Sequence, residues 1–593
     1  MKVALAVFFA AALATAAPAY AGDPIMPLSE VQRGMQCEAR TVIQGVDITT
    51  FGAEVVDVVS GDTATEAPRI LFRFSGEAVD RTGVGPGFSG SPIYCDGRVA
   101  GAISESVGEY GGTMALATPI EPILGQPVEP PPGTRPAAQT PARSARALSA
   151  PISMGGLSPR VASVFTRAAA RAKRVLYAAP GRPVAESFPW QQLRPGSAMA
   201  AGLASGDVTA GSVGTVTYVD EGRVWAFGHP LDAAGRRSLF LQDAYVYAVV
   251  NNPVGVEGVT TYKLAVPGHN VGILSGDGLS AVAGTLGNLP PRFPMKVVAQ
   301  DLDTGRQSVA NIEIADENAL DLPTGSSSLS FVGAGAVAQA GTTVLGGGAP
   351  ARQTGEMCAR IYLRESPRPL RFCNRYVTRG GGGFEEGGSL GVAGPMAGDF
   401  VEAVTQLDEY NFAALTVTRV EVNLKVRRGL RQAFLIKATG PDVVRRGRTA
   451  RIRVRIQQVR GPAETRTINV RVPRGMPSGP RELLLQGTPT DEEGDLEIDL
   501  SELLFGADED DPDAESTAET GPRTVAALAK SIRRISRYDG VKASFLPPDD
   551  DTSLEELGED PDGPEGTARR EREVYKDPEL RLSGSVRVPI FVR

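Results

Sequence analysis

Two short stretches carry residue types that could activate a hydroxyl group. In Gly87-Phe88-Ser89-Gly90-Ser91-Pro92 a serine sits between glycines that allow a tight backbone turn, and Pro92 fixes the exit toward the apolar run "RVAGAIS". A serine hydroxyl is a poor nucleophile until a base takes its proton and amide groups hold the oxyanion. Such a turn would present the N–H groups of Gly87 and Ser89 as that oxyanion site. The base must come from elsewhere, and the chain has only two histidines, His229 and His269. His229 ends a hairpin, "VGTVTYV", Asp220-Glu221-Gly222, "RVWAFG", with Gly228 before it and Pro230 after it. His269, in "VPGHNVG", reads as a turn residue. Asp232, three residues beyond His229, is the candidate for the acid that orients the base.

The elements that must position these residues read as mainly β. With 593 residues the chain is too long for one hydrophobic core, and 69 Gly, 45 Pro and 6% aromatics suit short strands and turns. Strand-like pieces broken by Gly and Asp fill residues 22–125, which carry Ser89. A Pro/Ala-rich linker follows at 126–150. A second β block, 151–310, carries His229. Residues 311–412 read as a β/Gly-rich connecting region with one hairpin, in which "VGAGAVAQAGTTVLGGGAP" and "TRGGGGFEEGGSLGVAGPMAG" are mobile loops. Alternating runs predict a β-sandwich at 413–505. Residues 506–593 read as an acidic, partly disordered tail with one helix at Val525–Ile535, capped by Thr524, and a terminal strand.

Lys2, the apolar run Val3 to Ala17 and the small-x-small site Ala19-Tyr20-Ala21 read as a signal peptide, 1–21, cleaved after Ala21. That run is too short for a membrane anchor, and no later segment reads as an integral membrane span. The expected location is therefore exported, periplasmic or extracellular. Four cysteines fit an oxidising compartment. Of the three possible pairings the preferred one is Cys37–Cys95 with Cys358–Cys373, whose last two members flank a hairpin. With no CxxC pair and only two histidines, neither metal nor other cofactor is expected. The Arg-rich stretch 427–460 alternates charged and apolar residues in "RIRVRIQQVR", so it reads as the wet face of a strand and not as a nucleic-acid site.

These motifs carry a resemblance. "GFSGSPIYCDGRVAGAI" resembles the G-M-S-G-S-P-I segment of the SpoIVB-type serine peptidases, and "AFGHPLD" resembles their Gly-His motif. The opening "MPLSEVQRGMQCEARTVIQGVDITTFGAEVVDVV" and the stretches "PGSAMAAGLASGDVTAGSVGTVTYVDEGRVWAFGHP" and "YKLAVPGHNVG" look like exported bacterial relatives of that family. The resemblance spans roughly residues 26–300. It implies a chymotrypsin-like double β-barrel, with Ser89 as nucleophile and His229 as general base of a serine endopeptidase acting on a protein or peptide substrate. Here Ser89 precedes His229, so the barrel order is permuted relative to the family. The family's aspartate lies shortly before its serine motif; here that stretch is "RFSGEAVDRTG", where Asp80 is near but not aligned. Glu105 and Glu109 follow the nucleophile strand, where a specificity pocket often lies. The unfilled acid position keeps a second reading open: a catalytically inactive peptidase fold serving as an envelope binding or assembly scaffold.

Overall fold

The structure, a computed structural model, describes residues 22–60, 67–107, 112–130, 145–147, 151–171, 175–180, 188–251, 261–317, 328–346, 352–378, 390–487, 521–535, 540–547 and 572–593. The expected signal peptide, Glu109 and nearly all of the acidic runs lie outside them. The fold is mainly β.

The first unit is a closed barrel. Its strands are β1 (Gln36–Val42), β2 (Ile48–Val59), β3 (Arg69–Ser75), β4 (Pro92–Cys95), β5 (Arg98–Val107) and β6 (Met114–Pro119). They pair in the order β4-β1-β2-β3-β6-β5, and β4 with β5 closes the ring. Alternate residues turn inward, as in β2, where Phe51, Ala53 and Val55 are buried. They pack with Phe72, Phe74, Phe88 and Ile93 into one core. Cys37 and Cys95 face each other across β1 and β4 and form the expected disulfide. The helix α1 (Ile120–Leu124) follows, and β7 (Ala145–Ala147) adds to β5.

After β8 (Ile152–Leu157), the helix α2 (Pro159–Arg171) and β9 (Leu176–Pro180) comes a second circuit of pairings. It comprises β10 (Ala198–Gly206), β11 (Thr209–Asp220), β12 (Arg223–Ala226), β13 (Gly235–Val250), β14 (Tyr262–Asp277) and β15 (Val282–Leu286). The ring runs β10-β13-β14-β15-β12-β11 and returns to β10. The β11–β12 hairpin turns at Glu221 and Gly222, both at positive φ (47° and 81°), as a two-residue turn between twisted strands requires.

This circuit is part of a wider sheet continued by β16 (Arg292–Asp301), β17 (Gln307–Ala315), the hairpin β18 (Gln353–Leu363) and β19 (Leu370–Thr378), and β20 (Val417–Arg428). Cys358 and Cys373 pair across that hairpin in the expected second disulfide. Residues 417–428, grouped with the later strands from sequence, lie in this sheet, where β20 runs parallel to β16. Two helices run into stretches read as mobile loops: α3 (Ser328–Val344) fills most of the first, and α4 (Ala393–Asp408) begins at the end of the second. The Gly/Ala-rich α3 is buried nearly all round and so lacks the one-sided apolar stripe that marks a surface helix. Its glycines make room for α4: a Cβ on Gly333 would collide with the Phe400 ring.

The C-terminal strands β21 (Gln432–Thr439), β22 (Val443–Val444), β23 (Thr449–Gln458), β24 (Ala463–Arg471), β25 (Gly479–Gln486), β26 (Gly540–Leu546), β27 (Arg572–Lys576), β28 (Arg581–Ser583) and β29 (Ser585–Val592) form a four-stranded and a five-stranded sheet around a shared core. On β23, Ile452, Val454 and Ile456 point inward and the arginines outward, as the alternation predicts. The expected capped helix is α5 (Val525–Ile532), with Thr524 accepting from the Ala527 N–H at 3.1 Å.

Candidate active site

The serine loop lies in the seam between the two circuits, and the second circuit holds it by its carbonyl groups. Residues Gly85 to Ser91 are all buried. The Pro86 carbonyl accepts from the Lys263 N–H at 3.0 Å and the Ser89 carbonyl from the Thr215 N–H at 2.9 Å. Hydroxyls of the same strand, β11, donate to Gly87 O (Thr215, 3.1 Å) and Gly90 O (Thr217, 2.9 Å). Phe88 O accepts from within the loop, from the Ser91 N–H at 3.0 Å and the Ser91 hydroxyl at 2.6 Å. Five consecutive carbonyls, 86 to 90, are thus tied down.

The amides follow a different rule. Those of Phe88, Gly90 and Ser91 donate to Gly85 O, Ile103 O and Phe88 O. Among the described residues the N–H groups of Gly87 and Ser89 have no acceptor. Buried amides are nearly always paired, so two orphans at a serine and at the residue two before it are a distinctive pattern. Their direction is set from the far end of each peptide plane. No peptide bond is cis, and in a trans peptide the N–H points opposite to the C=O. Fixing Pro86 O therefore aims Gly87 N–H, and fixing Phe88 O aims Ser89 N–H. Gly87 and Gly90 adopt φ of 93° and 89°, and a Cβ on Gly90 would fall on Thr215 O. Only glycine fits there.

His229 reaches the same seam from the end of β12. Phe227, a buried bulky residue, is held at φ 69°, a strained left-handed conformation, with its N–H on Thr215 O at 3.3 Å. Gly228 O accepts from the Thr118 hydroxyl of the first barrel at 2.7 Å. A Cβ on Gly228 would lie 3.1 Å from Ile103 O, the carbonyl that also binds Gly90 N–H. The serine and histidine loops therefore meet across one carbonyl. The imidazole is buried; Nδ1 faces Pro230 O at 2.6 Å, and among the described residues Nε2 has no hydrogen-bond partner, Ser89 Oγ included. Burial pushes the His229 pKa down to about 4, with the Arg69 guanidinium adding to the effect against the Pro230 hydrogen bond. The ring is neutral at pH 7.

Neither carboxylate considered from sequence is bonded to that ring. Asp232 pairs with Arg237 Nη1 at 2.6 Å, because the buried Arg237 guanidinium, held by Glu317 at 2.7 Å, draws every nearby carboxylate. Asp80 caps its own turn, accepting from Gly76 N–H at 2.8 Å. The loop after His229 is instead fixed by Asp277, whose carboxylate accepts from the N–H groups of Leu231, Asp232 and Ala234 at 2.7, 2.9 and 3.1 Å. Glu105 is occupied by Arg69 at 2.8 Å.

His269 lies within β14 and not in a turn. Its Nδ1 faces the buried carboxylate of Asp243 at 2.9 Å, and its ring edge meets Phe188.

The sequence reading missed Lys263. Its side chain is buried beneath the serine loop, with Nζ 2.5 Å from Thr41 Oγ1, 3.4 Å from Thr215 Oγ1 and 4.6 Å from the centre of the Phe88 ring. Ser91 Oγ joins this hydroxyl cluster at 3.0 Å from Thr41 Oγ1. Burial pushes the Lys263 pKa down to about 7, and among the described residues no carboxylate pairs with it. The signal was available: in "TYKLAV" the lysine shares the inward phase of Ala265.

A cavity of about 170 Å³ is lined by Val46, Gln191, Gln192, Arg194 and Ser197, and neither Ser89 nor His229 contributes to it. Compared with family models, curated proteins and solved structures, the chain matches none.

Proposed function

We propose that this chain is an exported serine endopeptidase of SpoIVB type, with its two circuits arranged as a chymotrypsin-like pair of barrels in permuted order and the C-terminal sheets appended as a sandwich. The observation that carries the reading is the pair of buried amides of Gly87 and Ser89, without an acceptor among the described residues, in a loop whose five carbonyls from Pro86 to Gly90 are all bonded. Ser89 Oγ attacks the scissile carbonyl of a protein or peptide substrate, forming an acyl-enzyme. His229 Nε2 takes the serine proton and returns it to the leaving amine. The Gly87 and Ser89 amides receive the negative charge that develops on the carbonyl oxygen. Pro230 O accepts from Nδ1–H and so holds the tautomer that leaves the Nε2 lone pair free. A neutral carbonyl stabilises the imidazolium less than a carboxylate does, which fits a slow enzyme with few substrates.

A second reading, an inactive peptidase fold used as an envelope scaffold, is favoured by one observation. Ser89 is 1% exposed and His229 5% exposed, so the pair is closed to a substrate chain in this conformation. Labelling by a fluorophosphonate separates the two. The peptidase reading expects covalent labelling of the mature protein that disappears in Ser89→Ala and falls steeply in His229→Ala. An unlabelled parent, or label that persists in Ser89→Ala, rejects it in favour of the scaffold.

A further inference from the structure

We propose that Asp220 and Tyr218 form a binding site for the chain's own processed N terminus, the α-ammonium of Gly22. The Gly22 N–H points at Asp220 Oδ1 at 3.3 Å. A Cβ at residue 22 would fall on the Tyr218 hydroxyl and ring, so any larger residue would have to push Tyr218 aside. The following residues are laid into the seam between the circuits. Asp23 O accepts from the Tyr218 hydroxyl at 2.6 Å, and the Asp23 carboxylate from the Tyr94 hydroxyl at 2.5 Å. Pro24 O accepts from Val99 N–H at 2.8 Å, Met26 N–H donates to Val99 O at 2.9 Å, and the Met26 side chain is fully buried. Tyr94 and Val99 belong to the first barrel and Tyr218 and Asp220 to the second, so five residues staple one to the other.

The sequence places a small-x-small cleavage signal ending at Ala21, and the packing against Tyr218 favours glycine at the next position. Hydrolysis of the Ala21–Gly22 bond by an envelope signal peptidase consumes one water. It leaves a carboxylate on Ala21 and an ammonium on Gly22. The single amide donor facing Asp220 becomes a positive group with three donors, and the hydrogen bond becomes charge-assisted. The charged group facing the new ammonium is the carboxylate of Asp220. Arg223, which binds the other oxygen of Asp220 at 2.5 Å, and Glu221 flank it. The site needs no peptidase chemistry, so it stands or falls separately from Ser89.

The test uses the full chain, exported with its own leader, purified and N-terminally sequenced. It is then treated at pH 7 with a succinimidyl ester, and acylation of the α-amine is followed by peptide mass spectrometry. A free α-amine, with a pKa of about 7.7–8.0, reacts readily there. The mature chain is expected to begin at Gly22, with an α-amine acylated at least about ten-fold more slowly than in Asp220→Asn. A chain with one serine inserted between Ala21 and Gly22 keeps Asp220 but displaces the ammonium. It should also react fast, and it serves if Asp220→Asn does not fold. A mature N terminus at any other residue, or equal rates in the parent and the inserted chain, overturns the proposal.

Discussion

The two histidines of this chain have exchanged the attributes that a catalytic histidine normally combines. His269 has the carboxylate: Asp243 grips its Nδ1 at 2.9 Å and its backbone N–H at 2.5 Å, and also accepts from Gln191 N–H at 2.9 Å. His229 has the neighbourhood: the Gly228 before it lies against the Ile103 carbonyl that binds the serine loop, and among the described residues its Nδ1 meets Pro230 O. A buried carboxylate on a ring nitrogen therefore locates a well-anchored histidine, and the adjoining amides and hydroxyl locate the chemistry. On the proposed peptidase reading, the first attribute belongs to stability and the second to catalysis.

The largest effect that could break this division is on covalent labelling. His229→Asn is expected to slow fluorophosphonate labelling of Ser89 by about 10³-fold, and His269→Asn to leave it within about two-fold. Loss of labelling in the His269 variant, with an unchanged thermal midpoint, would mean that the carboxylate-bound ring is the base and that the seam has been misread.

The acids around each ring give the next effect, read in urea unfolding. The loop after His229 depends on a buried ion cluster in which Arg237 serves Glu317, Asp232 and Asp277. Arg237→Met strands those carboxylates and is expected to cost about 3–5 kcal/mol. Asp243→Asn weakens the three bonds that hold His269 and Gln191, and a cost of about 1–3 kcal/mol is expected. Equal costs would show that the His229 loop does not lean on the cluster.

The same contrast has a pH signature. His229 titrates near 6.5 when unfolded and near 4 when folded, so between these values the unfolded chain binds more protons. Stability must then rise with pH from about 4 to 6.5 and level off above. The limb is about 3 kcal/mol high at about 1.4 kcal/mol per unit. His229→Gln should flatten it.

Much of this arrangement was legible from residue order. Strand alternation and the glycines of Gly87-Phe88-Ser89-Gly90 announced the β circuits and the serine turn, and the cysteine spacings announced both disulfides. What stayed hidden depended on neighbours distant in sequence. Lys263 became interesting only once β14 was laid under the serine loop, because an inward lysine is costly unless hydroxyls such as those of Thr41 and Thr215 receive it. Helix α3 stayed hidden for the opposite reason: it is covered on all sides and has no polar face to set a period. The acid was misjudged because proximity in sequence to His229 says nothing about which cation competes for the carboxylate.

Asp232 supplies the smallest and most discriminating effect. Its side chain is 65% exposed and is bound to Arg237, which keeps Glu317 as a better buried partner held by two hydrogen bonds. Neutralising it in Asp232→Asn removes one exposed contact, expected to be worth less than about 1 kcal/mol. Labelling of Ser89 should stay within about two-fold of the parent. An orienting acid behaves otherwise: its amide variant loses about 10⁴-fold in the chymotrypsin case, because the base takes the wrong tautomer. A collapse of labelling in Asp232→Asn would thus restore the triad expected from sequence and require the carboxylate to swing from Arg237 to His229 in the working conformation. Unchanged labelling would leave Pro230 O as the group that holds the ring, and the comparison of the two histidines would stand with its roles divided.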